Sequence, residues 1–267
     1  MSTLRVDNLT TLSGNGITSD IVSVSGGQLS NRNKIQNGAM IVSQRFDGDA
    51  HTPSSTNRIY TLDRWAYWSN VASKTTIQQV EDAPVGFKYS SKCTVASAYS
   101  ISSGDWFGYM THIEGQDLYD LELGNSNAKT MTLSFYVKSS IPGTWAAAVR
   151  TKPGSPSRSY PFNYTISSAN TWERKTFTFA GDTSGVINDD TGTGLTVLWW
   201  LSAGSTYTSG TSRATFTAHA DADSAVGCNV NILDSTSNNF YITGVQLEVG
   251  SVATPVSYTH LTLPTKA

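Results

Sequence analysis

The amino-acid sequence predicts an all-β fold, an antiparallel β-sandwich of jelly-roll type. Three observations lead there. Apolar and polar residues alternate with a period of two in several stretches. Turn-forming residues separate these stretches at intervals of roughly 8–15 positions, as in sandwiches and not as in βαβ units. The chain also holds 7 Trp, 12 Tyr and 9 Phe but only 14% charged residues, so it has rings for a core and too little charge for charge-driven disorder.

Taken in order, residues 1–30 are polar and turn-rich, with Gly14, Gly16, Gly26 and Gly27 cutting them into pieces of strand length. Alone they bury too little surface to offset their ordering entropy. They are either disordered or, as their Val, Ile and Thr content favours, a strand-and-turn connector that packs against other copies. From 31 to 255 the pattern is β. In Met131–Lys138, Met131, Leu133, Phe135 and Val137 share one face. Phe177 and Phe179 repeat the rule. In GLTVLWWLSAG, Leu195, Val197, Trp199 and Leu201 share one face while Leu198 and Trp200 occupy the other, which predicts a strand covered on both sides. Further strands are expected at 35–43, 59–69, 74–81, 90–97, 106–113, 144–150, 159–166 and 213–219. In NNFYITGVQLEV the apolar phase slips by one residue at Thr243-Gly244, the signature of a β-bulge. Gln116–Leu123 is the one helix-like stretch. Trp65, Trp145, Trp172, Trp199 and Trp200 lie in strand-like runs and are expected in the core.

The composition narrows the function. A formal net charge of −2 leaves no electrostatic footprint for nucleic acid or an anionic membrane. No apolar run approaches the ~20 residues of a membrane span. The start lacks the basic and apolar blocks of a secretion signal, so synthesis in a cytoplasm is expected. Cys93 and Cys228 fit no metal or redox spacing and are expected as separate packed thiols. No GxSxG is present, and His51, His112 and His219 have no marked nucleophile partner. Asp189, Asp190, Asp221, Asp223 and Asp234 sit in turn-like sequence, and no spacing singles out a hydrolytic pair. No catalytic residues are therefore assigned and the chain is expected not to be an enzyme. Asp221-x-Asp223 offers two oxygens toward the ~6–8 that calcium takes, without an EF-hand glycine and distal glutamate; a structural Ca2+ stays open and no cofactor is assigned. What remains is surface recognition. The 36 Ser and 34 Thr supply hydroxyls, and rings beside loops supply flat apolar contacts of the kind sugars use. Tyr99, Trp106, Tyr160 and Tyr207, in or beside loop-like segments, are the candidate ligand-binding residues.

Six segments then carry a resemblance, in order: NKIQNGAMIVSQR (33–45), YTLDRW (60–65), TLSFYVKSSIPG (132–143), WERKTFTFAGDTSG (172–185), LTVLWWLSAG (195–204) and YITGVQLEVGSVATP (241–255). Together they resemble tail-fibre or receptor-binding proteins of tailed bacteriophages that carry a jelly-roll domain similar to carbohydrate-binding modules, of galactose-binding-like type. The opening MSTLRVDNL resembles the start of phage fibre chains. The resemblance implies a virion component, homotrimeric, that sits in the tail fibre and contacts a host cell-surface carbohydrate or envelope protein without catalysis. A purely structural virion spacer and a polysaccharide depolymerase are the alternatives. Asn37-Gly38 with Gln246 and Glu248 is similar to the region where some such modules hold calcium, but Ala39 and Thr243-Gly244 depart from that pattern. Finally, VSYTHLTLPT (256–265) resembles the translated read-through of a transposon-end sequencing adapter, which implies that 256–267 is a non-native tail and that His260 and Lys266 carry no functional weight.

Overall fold

The computed structural model describes residues 32–152 and 157–257. The connector expected at 1–30 and most of the tail after 255 lie outside the described residues. In chain order the strands are β1 (Asn57–Leu62), β2 (Trp65–Ser69), β3 (Thr75–Val80), β4 (Ser90–Val95), β5 (Trp106–Glu114) and β6 (Met131–Ser139). They continue with β7 (Gly143–Thr151), β8 (Arg158–Ile166), β9 (Glu173–Phe179), β10 (Thr193–Ala203), β11 (Thr217–Ala218) and β12 (Asn239–Val249). A single helical turn, α1 (Ser205–Thr208), follows β10. The helix-like stretch after β5 is a 3-10 helix, Gly115–Leu121.

The strands form two antiparallel sheets, a seven-stranded one in the order β1-β2-β5-β10-β7-β8-β11 and a five-stranded one in the order β3-β4-β12-β6-β9. They stack as a sandwich of jelly-roll type. The inward faces follow the alternation of the sequence: Met131, Leu133, Phe135 and Val137 from β6 meet Leu195, Val197, Trp199 and Leu201 from β10, all fully buried. A chain of ring contacts crosses the gap. Trp65 lies 5.4 Å from Tyr109 and 5.6 Å from Trp199; Phe135 meets Trp199 edge-on at 5.4 Å and Tyr164 at 5.2 Å. Each large side chain buried this way contributes roughly 1.5–3 kcal/mol of transfer free energy, which is what holds the sheets face to face.

The expected bulge is present. Pairing of β12 with β6 shifts register between Thr243 and Gln246, and Gly244 sits there at φ +60, a backbone conformation that glycine adopts without steric cost. The bulge brings Val245, Leu247 and, on the other side of the slip, Phe240 and Ile242 all into the core.

Several expected elements differ. The stretch 35–43 is not a strand but a buried turn. Asn33 donates to the Val245 carbonyl and accepts from Ile35 and Leu247 N–H, while Asn37 accepts from Val42 N–H and donates to the Asp63 carbonyl. Asn37 and Met40 take positive φ, outside the extended region that a regular strand uses. Side-chain amides thus replace a ladder, and Ile35 and Met40 plug the core from the turn. The run 59–69 is a hairpin, β1 and β2, reversing at Asp63-Arg64. The strand expected at 213–219 shrinks to Thr217–Ala218. Trp172 is not in the core: it lies half-buried on the outside of the five-stranded sheet, edge-on to Tyr241 at 6.0 Å and donating to Asp82. Trp65, Trp145, Trp199 and Trp200 are fully buried, but Trp200 faces away from the other sheet.

Candidate functional site

The outer face of the seven-stranded sheet carries a second, smaller apolar cluster that the sandwich itself does not require. Register places its rows. Trp68 on β2 stands opposite Gly108 on β5, which stands opposite Trp200 on β10. A Cβ on residue 108 would come within 2.7 Å of Leu198 and 3.3 Å of the Trp68 ring, so glycine there lets the two indoles approach across the middle strand. They meet edge-on at 5.6 Å. Trp106 packs on Trp68 at 5.4 Å, and Tyr207, presented by α1, packs on Trp106 at 5.9 Å and on Trp200 at 5.4 Å. This is the cover for the second side of β10 that its unbroken apolar run calls for.

The row above the rings is polar. His112 on β5, Thr196 on β10 and Arg150 on β7 stand side by side. The His112 Nδ1 shares a hydrogen bond with the Thr196 hydroxyl at 2.8 Å. Burial, reinforced by the nearby charges of Arg58, Lys152 and Arg64, pushes the imidazole down to about 4. Arg150 lies 6.0 Å over the Trp68 ring and donates from Nη2 to Ser224. Burial lowers its guanidinium to about 10, partly countered by Asp221, so it stays a cation at neutral pH. Four nitrogens of this face, Trp106 Nε1, Trp200 Nε1, Arg150 Nε and His112 Nε2, are buried with no hydrogen-bond partner among the described residues. Buried polar groups normally find a partner; here the polar row lies beneath the surface and adds its charge, not its hydrogen bonds, to the face.

At the β1–β2 end of this face lies a cleft of about 300 Å³, at the lower end of the size of small-molecule sites. Tyr60, 39% exposed, stands on one side. Arg45, Asp63, Arg64, His112, Glu114, Thr191 and Thr193 supply polar groups around it. Arg64 donates to Glu114 at 3.1 Å, and Gln116 donates to the other Glu114 oxygen. Asp63 accepts from the Gln44 N–H at 2.7 Å. The wall residues are therefore held in place before any ligand arrives. An exposed ring beside fixed donors and acceptors can stack on a sugar face and bond its hydroxyls.

The four aromatic residues singled out from the sequence do not form one site. Trp106 and Tyr207 come together in the outer cluster, half-buried and buried respectively. Tyr99 joins them through Asp105: its hydroxyl donates to Asp105 Oδ2 at 2.9 Å, while its ring packs toward Phe107 of the main core. Burial would raise the Asp105 carboxyl, but the Ser102 N–H and the Tyr99 hydroxyl outweigh it and hold it below the usual carboxylate range. Tyr160 lies elsewhere. It is inside β8, the strand expected at 159–166, and packs edge-on against Phe177 at 5.2 Å and Phe216 at 5.6 Å. Sequence reasoning passed over Trp68, Tyr60 and Arg150. The alternation in β1 and β2, which puts Arg58, Tyr60, Ala66 and Trp68 on one face, was the available signal; what it lacked was the knowledge that β2 pairs with β5.

The remaining candidates are occupied with structure. Cys93 is buried in the main core and Cys228 half-buried at the outer cluster, both as free thiols. Asp190 accepts from Gly192 N–H, Asp221 pairs with His219 at 3.1 Å and Asp223 with Arg213 at 2.6 Å. Glu248 pairs with Arg32 at 3.6 Å and accepts from Thr254 N–H. Among the described residues no group of three or more His, Cys, Asp or Glu is placed to hold a metal ion, and no helix is long and apolar enough to cross a membrane.

No family model and no curated protein matches the sequence. Solved structures do. The enzymatically active domain of tailspike protein 4 of bacteriophage CBA120 aligns over 81% of this chain at 13% identity with a TM-score of 0.42, and this chain covers 21% of the tailspike chain. A sugar-binding protein from Bacteroides thetaiotaomicron, described as putative, aligns over 82% of this chain and 100% of its own length at 12% identity, TM-score 0.43. The module TmCBM61, solved with β-1,4-galactotriose, aligns over 82% of this chain and 99% of its own at 11% identity, TM-score 0.37.

Proposed function

We propose that the chain is a non-catalytic glycan-binding protein, and that it works as the host-recognising part of a phage tail fibre. The observation that carries glycan binding is the cleft on the outer face of the seven-stranded sheet, where the exposed Tyr60 ring stands among fixed polar groups. The tail-fibre role is supported by the ordered set of six sequence segments and by the opening residues that resemble fibre chains. In that role the protein is a virion component, three copies associate through the N-terminal segment, and weak single contacts to a host-surface carbohydrate add up by avidity.

The test is binding of the full chain to a glycan array and to bacterial cells. Saturable glycan binding that is lost in Tyr60→Ala is expected; absence of binding to every glycan and cell surface overturns the proposal in favour of a structural spacer. Sedimentation velocity is expected to give a mass three times the 28.7 kDa of one chain.

One observation favours a second reading. Asp63 and Glu114 are two carboxylates on one cleft, the minimum for a polysaccharide depolymerase. Both are already engaged as acceptors. New reducing ends released from a bound polysaccharide, and abolished in Glu114→Gln, would establish hydrolysis.

A further inference from the structure

The cleft lining holds two cations, Arg45 and Arg64, and two carboxylates, Asp63 and Glu114, and further cations stand beside it. Arg45 lines it, and the charges of Arg58 and Lys152 reach the His112 ring that forms part of its wall. Arg45, Arg58 and Lys152 are exposed, and Arg150 beside His112 is half-buried. None of these four has a carboxylate within salt-bridge distance among the described residues, although the chain as a whole is net negative. Of the nearby carboxylates, Glu114 is taken by Arg64 and Asp63 accepts from the Gln44 N–H, while the exposed Asp221 acts on Arg150 only through its charge. Arg58, Arg150 and Lys152 repel one another: burial first, and then the charges of Arg150 and Arg58, lower the Lys152 ammonium. An excess of cations beside a recess draws an anion toward it. Guanidinium, which Arg58 exposes, is the group that grips oxyanions with directed hydrogen bonds; Arg150, its Nε buried, adds its charge.

Resting on the glycan reading of the cleft, we infer that its ligand is an anionic glycan: a sugar whose ring, stacked on Tyr60, carries an oxyanion substituent held by Arg58 and Lys152. Carboxylate and sulfate share this chemistry, and the probes separate them.

The full chain is titrated with polygalacturonate, alginate, hyaluronate and polysialic acid, each beside its carboxyl-reduced form, and with dextran sulfate beside dextran. At least one anionic polymer is expected to bind about ten-fold or more tightly than its neutral partner, consistent with one or two charge-assisted contacts. The double variant Arg58→Gln/Lys152→Gln, at exposed unpaired positions, is expected to remove most of that preference while circular dichroism stays unchanged. Tyr60→Ala is expected to weaken binding of charged and neutral forms alike. Neutral and anionic forms binding equally well overturns the inference and leaves the glycan reading standing. Binding to dextran sulfate alone that disappears at physiological salt marks mere polyelectrolyte attraction and overturns it too. If nothing in the set binds and the array is also blank, the glycan reading itself falls.

Discussion

Trp199 and Trp200 are neighbours in sequence and belong to different cores. Trp199 touches Trp65 and Phe135 between the sheets, whereas Trp200 touches Trp68 and Tyr207 on the outside. Trp199→Ala or Phe135→Ala removes a fully buried ring from the joint between sheets and is expected to cost about 3–5 kcal/mol in denaturant unfolding; a loss below about 1 kcal/mol would take either ring out of the core. His112 makes a pH prediction. Its imidazole is lowered from 6.5 to about 4 in the fold, chiefly by burial. Between those values the unfolded chain takes up a proton that the folded chain refuses. His112 therefore contributes stability that is complete above about pH 6.5 and lost as pH falls toward 4. His112→Gln is expected to flatten that part of the stability–pH curve, and an unchanged slope would contradict the assignment.

Among the elements, β12 shows how much one backbone irregularity decides. Its bulge at Thr243-Gly244 was readable because the apolar phase slips there, and the structure agrees. Gly244→Ala puts a Cβ at φ +60 and within 2.7 Å of the Phe87 ring and 2.9 Å of Tyr136. A loss of about 1–3 kcal/mol is expected from strain and overpacking together, and equilibrium unfolding measures it. By contrast, 35–43 was misread. Its apolar residues fit a strand, but Asn33 and Asn37 bond to backbone groups more than 200 and 26 positions away in the chain, and a local pattern has no access to those partners. Tyr160 lies in the strand expected at 159–166, paired with β7, and its ring turns inward, away from the cluster that Trp106 and Tyr207 form.

For the whole molecule, both sheets contribute to a single main cluster of buried side chains, so the main core exists only when the two are joined. Thermal unfolding is expected to be one transition with calorimetric and van't Hoff enthalpies that agree; two resolved transitions would show that the sheets fold independently. The outer cluster of Trp68, Trp106, Trp200 and Tyr207 is attached to one sheet only. It adds a face with rings and unpartnered donors to a sandwich already closed.

The fold class, the inward residues of β6 and β10, the double burial of β10 and the bulge in β12 were all present in the order of residues, because strand alternation and its slips are local properties of the chain. So was the general character of the molecule, rings and hydroxyls with little charge. The place of the site was not. Tyr60, His112 and Arg150 lie in strands β1, β5 and β7, which are not consecutive, and they share a face because β2 and β10 intervene in the sheet order. Which strand lies beside which is a matter of long-range pairing, and that pairing alone decides which side chains converge on one ligand.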